Sequence, residues 1–136
     1  MYNKENIDLS VYRLEKAKND LDAAEKNLEL ALYSTAANRS YYSIFHAARA
    51  VLALNGTDFK RHSGVIANFR KEYVKTGIFN KRMSDILTEA FDLRTESDYE
   101  DFYVLSKEDV KNQVESAKYF YENVEAYLRP EWNKQV

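Results

Sequence analysis

Asn38-Arg39-Ser40-Tyr41-Tyr42-Ser43-Ile44-Phe45-His46-Ala47-Ala48-Arg49 lies inside a run, from about Thr35 to Asn55, that reads as one helix and meets Gly56 where a helix would end. At ~100° per residue, Tyr41, Ile44, Phe45, Ala48, Val51 and Leu52 gather on one side. Arg39, Tyr42, Ser43, His46, Ala50 and Ala53 gather on the other, with Arg49 near its edge. Arg39 and His46 are two helical turns apart, so both point the same way, roughly 10 Å from each other along the axis. Tyrosine aside, Arg39, Arg49 and His46 are the ionisable groups of this stretch. A helix so poor in charge is a central one, covered on most sides.

The rest of the chain supplies the cover. Its 136 residues suffice for one domain with a continuous core. Three glycines and one proline are too few for a hairpin-rich sheet protein. The absence of cysteine excludes disulfides, thiolate metal sites and thiol catalysis. The start of the sequence is polar, and no apolar run approaches the ~20 residues of a membrane span. The expectation is a cytoplasmic protein with no membrane contact.

Leu14, Ala17, Leu21, Ala24, Leu28 and Ala31 follow spacings of three and four, predicting a long first helix capped by Asp8 or Ser10. Ser63 is placed to cap a third helix carrying Val65, Ile66, Phe69, Tyr73 and Val74 and ending at Gly77. Asn80 opens a fourth with Met83, Ile86, Leu87, Ala90, Phe91 and Leu93, running out between Arg94 and Glu100. Asp98 to Tyr103 reads as an irregular, exposed connection. Ser106 with Asp109 resembles a capping box for a last helix with Val110, Val114, Ala117, Tyr121, Val124 and Leu128 inward, and Pro130 is expected past its end. The predicted fold class is all-α, an antiparallel up-and-down bundle of about five helices joined by short connections.

A net charge of −2 hides a sharp division. From Lys60 to Arg82 basic residues dominate, and from Asp85 to Asp109 acidic ones do. Two solvated helix faces that attract each other would give this pattern; so would a basic patch for phosphates beside an acidic patch for a partner.

Asn38 to Ala50 resembles the second-helix signature of HEPN domains. Lys60-Arg61-His62-Ser63 is similar to that family's "K-x-H-S" run before its third helix, and Leu93-Arg94-Thr95-Glu96-Ser97-Asp98-Tyr99 to the "L-R-x-x-x-D-Y" ending of its fourth. The resemblance implies a helical bundle that forms a homodimer, occurs in prokaryotic toxin–antitoxin and defence systems, and often pairs with a minimal nucleotidyltransferase. Many members are metal-independent endoribonucleases that use an Arg-x(4–6)-His motif in a cleft shared by two protomers. No cofactor is implied.

Two places compete for that motif. Arg39 and His46 fit the spacing, with six residues between them. The family's motif usually sits late, however, and there Arg94 is followed by Tyr99 where histidine is expected, with Asp101 where some members carry a modifiable tyrosine. Metal-free RNA cleavage needs a group to deprotonate the ribose 2′-hydroxyl and a cation to steady the phosphorane. Histidine, with a pKa of ~6.5, suits the first task, and tyrosine, near ~10, does not. Arg94 can still hold a phosphate through two N–H groups, and Tyr99 can stack on a base.

The candidate catalytic residues are therefore Arg39 and His46. The candidates for phosphate or RNA binding are Arg94, Tyr99, Tyr42, Arg49, Lys60, Arg61 and Arg70. The competing structural reading makes His46 a packing residue and pairs Arg39 with an acid of the fourth helix. His62, just before the expected cap at Ser63, reads as a loop or capping residue. No metal site is predicted, because the two histidines lie in different elements and the acids lack a ligand framework. A non-catalytic module that binds a nucleotidyltransferase partner is the alternative function.

Overall fold

The computed structural model describes residues 1–59, 61–99 and 105–136. Its helices are α1 (Lys4–Glu29), α2 (Tyr33–Ala53), α3 (His62–Phe69), α4 (Lys81–Tyr99) and α5 (Lys107–Glu131). A single π-helical turn, Arg70–Val74, prolongs α3. No described helix is long and apolar enough to cross a membrane.

Packing places α2 at the centre, against α1 on one side and against α3, α4 and α5 on the others. Tyr41, Ile44, Phe45, Ala48, Val51 and Leu52 are buried, as their shared stripe requires. Much of the opposite stripe is buried too: Ser43 and Ala50 meet α1, and Ala53 is buried as well. Small side chains make this possible, since they let two helix backbones approach closely. Ser43 Oγ donates to the Ala17 carbonyl at 2.9 Å, and Ser10 Oγ donates to the Ala50 carbonyl at 2.7 Å. Each buried hydroxyl thereby satisfies itself across the seam. The indole Nε1 of Trp132, beyond α5, donates to Ser10 Oγ at 2.9 Å and ties the chain's last turn to the same place.

Several boundaries differ from expectation, each for a local reason. α1 starts at Lys4, capped by Asn3, whose side chain accepts the Asn6 amide at 2.8 Å, so that Asp8 and Ser10 are already inside the helix. Ile7 is buried and extends the apolar seam earlier than Leu14. α3 begins at His62 with no side-chain cap, one position before Ser63 could act. Pro130 stands within the last turn of α5 and not beyond it, where it forfeits one backbone hydrogen bond; the Trp132 amide still reaches the Leu128 carbonyl at 2.9 Å. The Ser106 cap on Asp109 and the Asn80 bond to the Met83 amide agree with the prediction. The connection expected from Asp98 to Tyr103 is helical at its start, through Tyr99, and otherwise lies outside the described residues.

Left-handed backbone occurs at three turns among the described residues, at Ala31, Gly56 and Gly77. Gly56, at φ +70°, closes α2 and releases the loop carrying Asp58. In the α1–α2 turn Ala31 takes φ +59°, a conformation that alanine adopts at a cost.

Candidate functional site

Arg39, Tyr42, His46 and Arg49 emerge along the flank of α2 that neither the core nor the α1 seam fully covers. Arg39 is held in place from α1: its Nη1 donates to Asp20 Oδ1 at 2.9 Å, while Nε and Nη2 donate to Asn38 Oδ1 at 3.2 and 2.6 Å. Among the described residues, the acid that pairs with it therefore comes from the first helix. Its guanidinium lies 5.3 Å from the centre of the Tyr42 ring. Arg94 of α4 approaches the same ring, at 5.7 Å, and its Nη2 donates to the Tyr42 hydroxyl at 3.5 Å. One half-buried tyrosine is thus touched by both arginines of the two competing motifs, within a single chain.

Arg94 also lies 5.0 Å from the centre of the Tyr41 ring and 3.2 Å, through Nη1, from His62 Nδ1. The Tyr41 hydroxyl is 2.6 Å from that same nitrogen. A guanidinium can only donate, so Nδ1 is the acceptor and the imidazole proton resides on Nε2. Burial first, and then the charges of Arg94 and Arg49, lower the His62 pKa. His62 is accordingly neutral at pH 7 and offers an N–H from Nε2, for which no described residue provides a hydrogen bond. Its ring packs 4.1 Å, centre to centre, from Phe45.

His46 has a different setting. Its Nε2 is 3.7 Å from Asp20 Oδ2, too far for a hydrogen bond, and its Nδ1 is buried without a partner among the described residues. Burial, followed by the charges of Lys16, Arg49, Arg13 and Arg39, lowers its pKa to about 4. Burial raises the Asp20 pKa, against the pull of Arg39 and Lys16. A histidine so depressed is a feeble base near neutral pH.

The remaining sequence candidates are dispersed. Arg49 turns to Asp58. Arg61 is exposed just before α3. Arg70 joins α3 to α4, donating to Ser84 Oγ at 2.8 Å and to the Thr88 hydroxyl, away from Tyr42. Lys60 lies outside the described residues, as does the side chain of Tyr99. Among the described residues no three His, Asp or Glu side chains converge as a metal ion would require.

The family model of the HEPN domain matches residues 10–127. This chain belongs to the HEPN family. It is 34% identical over 117 residues to a UPF0332 protein of Thermotoga maritima, covering 86% of this chain and 89% of that one. A second relative, from Methanocaldococcus jannaschii and named as a candidate toxin, is 30% identical over 115 residues, 85% of this chain and 78% of its own. A UPF0332 protein of Archaeoglobus fulgidus is 38% identical over 96 residues, 71% of this chain and 76% of its own.

Within this HEPN domain, His62 and Tyr41 are the site side chains that linear reading missed. Tyr41 sits on the core stripe and is 3% exposed, so periodicity assigns it to packing alone. His62 stands next to a serine that suits a cap better. The signal in the sequence was its place at the start of a helix directly after a tight loop, which swings a first-turn side chain back over the preceding helix.

Proposed function

We propose that this HEPN domain is the RNA- or nucleotide-binding component of a toxin–antitoxin or defence module, with the Arg39–Tyr42–Arg94 face as its phosphate site. The observation that supports this most is the pair of guanidiniums on the Tyr42 ring beside a histidine whose tautomer presents an N–H. Arg94, His62 Nε2 and the Tyr42 hydroxyl proton are donors for phosphate oxygens, and the ring edges give a base something to lie against. The name of the Methanocaldococcus relative favours the toxin setting. Binding is the better supported half of the reading. For cleavage, His46 has the wrong environment, whereas a neutral His62 beside Arg94 is placed to protonate or hydrogen-bond a reacting oxygen. In this reading the domain works as a homodimer and pairs with a nucleotidyltransferase, which light scattering of the chain alone and with that partner would read.

The test is fluorescence anisotropy of a labelled single-stranded RNA, across a salt series, with cleavage followed on gels. Wild type should bind with a salt-dependent affinity. Arg94→Gln should weaken binding by about tenfold and make the log–log salt slope shallower by about one. His62→Gln, which keeps a donor, should bind nearly as wild type and lose any cleavage. Affinity that ignores both salt and Arg94 would end the proposal.

A further inference from the structure

Arg13 has no part in the Arg39–Tyr42–Arg94 face, yet it is the most deeply placed cation near it. Its side chain is 8% exposed, beneath the loop that comes after α2, whereas that of Asp58 on the loop is 59% exposed. Arg13 Nη1 donates to the Arg49 carbonyl at 3.3 Å, and its Nη2 is 3.3 Å from Asp58 Oδ2. Arg49 Nη2 donates to Asp58 Oδ1 at 2.9 Å, and the same oxygen accepts the Phe59 amide at 2.9 Å. One carboxylate therefore serves two guanidiniums.

The three groups are not equally fixed. Arg13 is anchored by a backbone carbonyl on α2. Arg49 lies 5.7 Å from the centre of the Phe45 ring, with its Nε buried and lacking an acceptor among the described residues. Asp58 alone is carried by a loop, on the solvent side of the pair, with its own side chain mostly exposed. Two like charges this close repel: after burial, the charge of Arg49 is the chief influence lowering the Arg13 pKa. Partial burial would raise the Asp58 pKa, but the bond from Arg49 and the charges of Arg13 and Arg49 more than offset it. An anion is thus demanded at this position, and a carboxylate supplies the least charge that answers the demand.

A phosphate group presents guanidinium with the same two-oxygen edge as a carboxylate, with more oxygens and more charge. We propose that the Arg13–Arg49 pair is an oxyanion-binding site for a phosphate group, occupied in the resting protein by Asp58 and opened when a phosphate displaces that side chain. The loop then acts as an internal competitor that sets the threshold of affinity. The choice of phosphate as the ligand rests on the reading of the neighbouring face, but the site does not require that face to bind RNA.

The experiment compares wild type with Asp58→Asn, which keeps an acceptor for the Phe59 amide and removes the charge. Thermal unfolding is followed against inorganic phosphate and, separately, a short single-stranded oligonucleotide, with chloride matching the ionic strength. Asp58→Asn should be the less stable protein without ligand and should gain from phosphate with an apparent Kd about tenfold below that of wild type. Adding Arg49→Gln to that variant should abolish the gain. A gain seen with inorganic phosphate points to a free or terminal phosphate, and one confined to the oligonucleotide points to an internal phosphodiester. No gain with either ligand leaves a structural ion pair only and overturns the proposal, even if the RNA assay of the neighbouring face succeeds. Should Asp58→Asn fail to fold, amide NMR of wild type decides: phosphate must shift the Phe59 amide as Asp58 leaves it, and an unmoved Phe59 signal overturns the proposal equally.

Discussion

Replacing His46 with leucine should flatten the acid limb of the protein's stability profile. The His46 side chain is 13% exposed, and burial with four nearby cations holds its pKa at about 4 in the folded state. The unfolded chain has a pKa of ~6.5 at this residue, so between these values the unfolded state binds more protons. The stability contributed by neutral His46 is therefore fully present above ~6.5 and is lost as the pH falls toward about 4. Between about pH 7.5 and pH 5 the loss integrates to about 2 kcal/mol for this one residue. Leucine fills a similar volume, and His46 Nδ1 has no partner to lose, so the variant should match wild type at neutral pH to within about 1 kcal/mol. Urea unfolding at the two pH values gives four free energies, whose double difference isolates His46 from the other titrating groups. The opposing influence is Asp20, 3.7 Å away, which would favour the imidazolium. A double difference of zero, or a gain by wild type on acidification relative to the variant, would mean that the ion pair outweighs burial and would refute this account.

Three other outcomes rest on named contacts. Ser10→Ala should cost about 1–3 kcal/mol in chemical unfolding, because Trp132 Nε1 loses its acceptor and the Ala50 carbonyl its donor in a buried seam. Ala31→Gly should raise stability by about 0.5–1 kcal/mol, since glycine accepts φ +59° without the strain that alanine bears there and returns part of the gain as chain entropy. Arg70→Met should lower the melting temperature and leave RNA affinity unchanged, because that arginine's bonds tie α3 to Ser84 and Thr88; a loss of affinity at unchanged stability would return it to the site.

Much of the fold was legible because hydrophobic periodicity is a local property. The inward residues of α5, Val110, Val114, Ala117, Tyr121, Val124 and Leu128, are all buried as their spacing required. Start signals were less decisive where several capping residues compete: Asn3, Asp8 and Ser10 are each chemically suitable, and burial of Ile7 picks the earliest. The π-helical turn has no sequence mark of its own. Within it Tyr73 is buried, and its hydroxyl receives the Asn55 amide at 2.7 Å. For the site, Arg39, Tyr42, His46 and Arg49 were visible as one flank of α2, and Arg94 as the end of a motif. The meeting of Arg39 and Arg94 around Tyr42 was not, nor was the approach of His62 to Arg94, from 32 residues earlier in the chain. Partners brought together by helix packing carry no shared spacing to read.

The small-residue seam between α1 and α2 has a consequence for how the molecule breathes. With Ala17, Ala24, Ala36, Ser43, Ala47 and Ala50 closed against each other, these two helices should open only when the whole protein does, and their amides should exchange hydrogen slowest. Arg13, Asp20, Arg39, Tyr42, His46 and Arg49 all stand on that slow-exchanging pair. Asp58, His62 and Arg94 are brought to it by a loop, a short helix and the end of another, which pack less extensively on α2 than α1 does. Hydrogen exchange should therefore divide the site, with the α1–α2 half protected as long as the fold and the other half exchanging sooner.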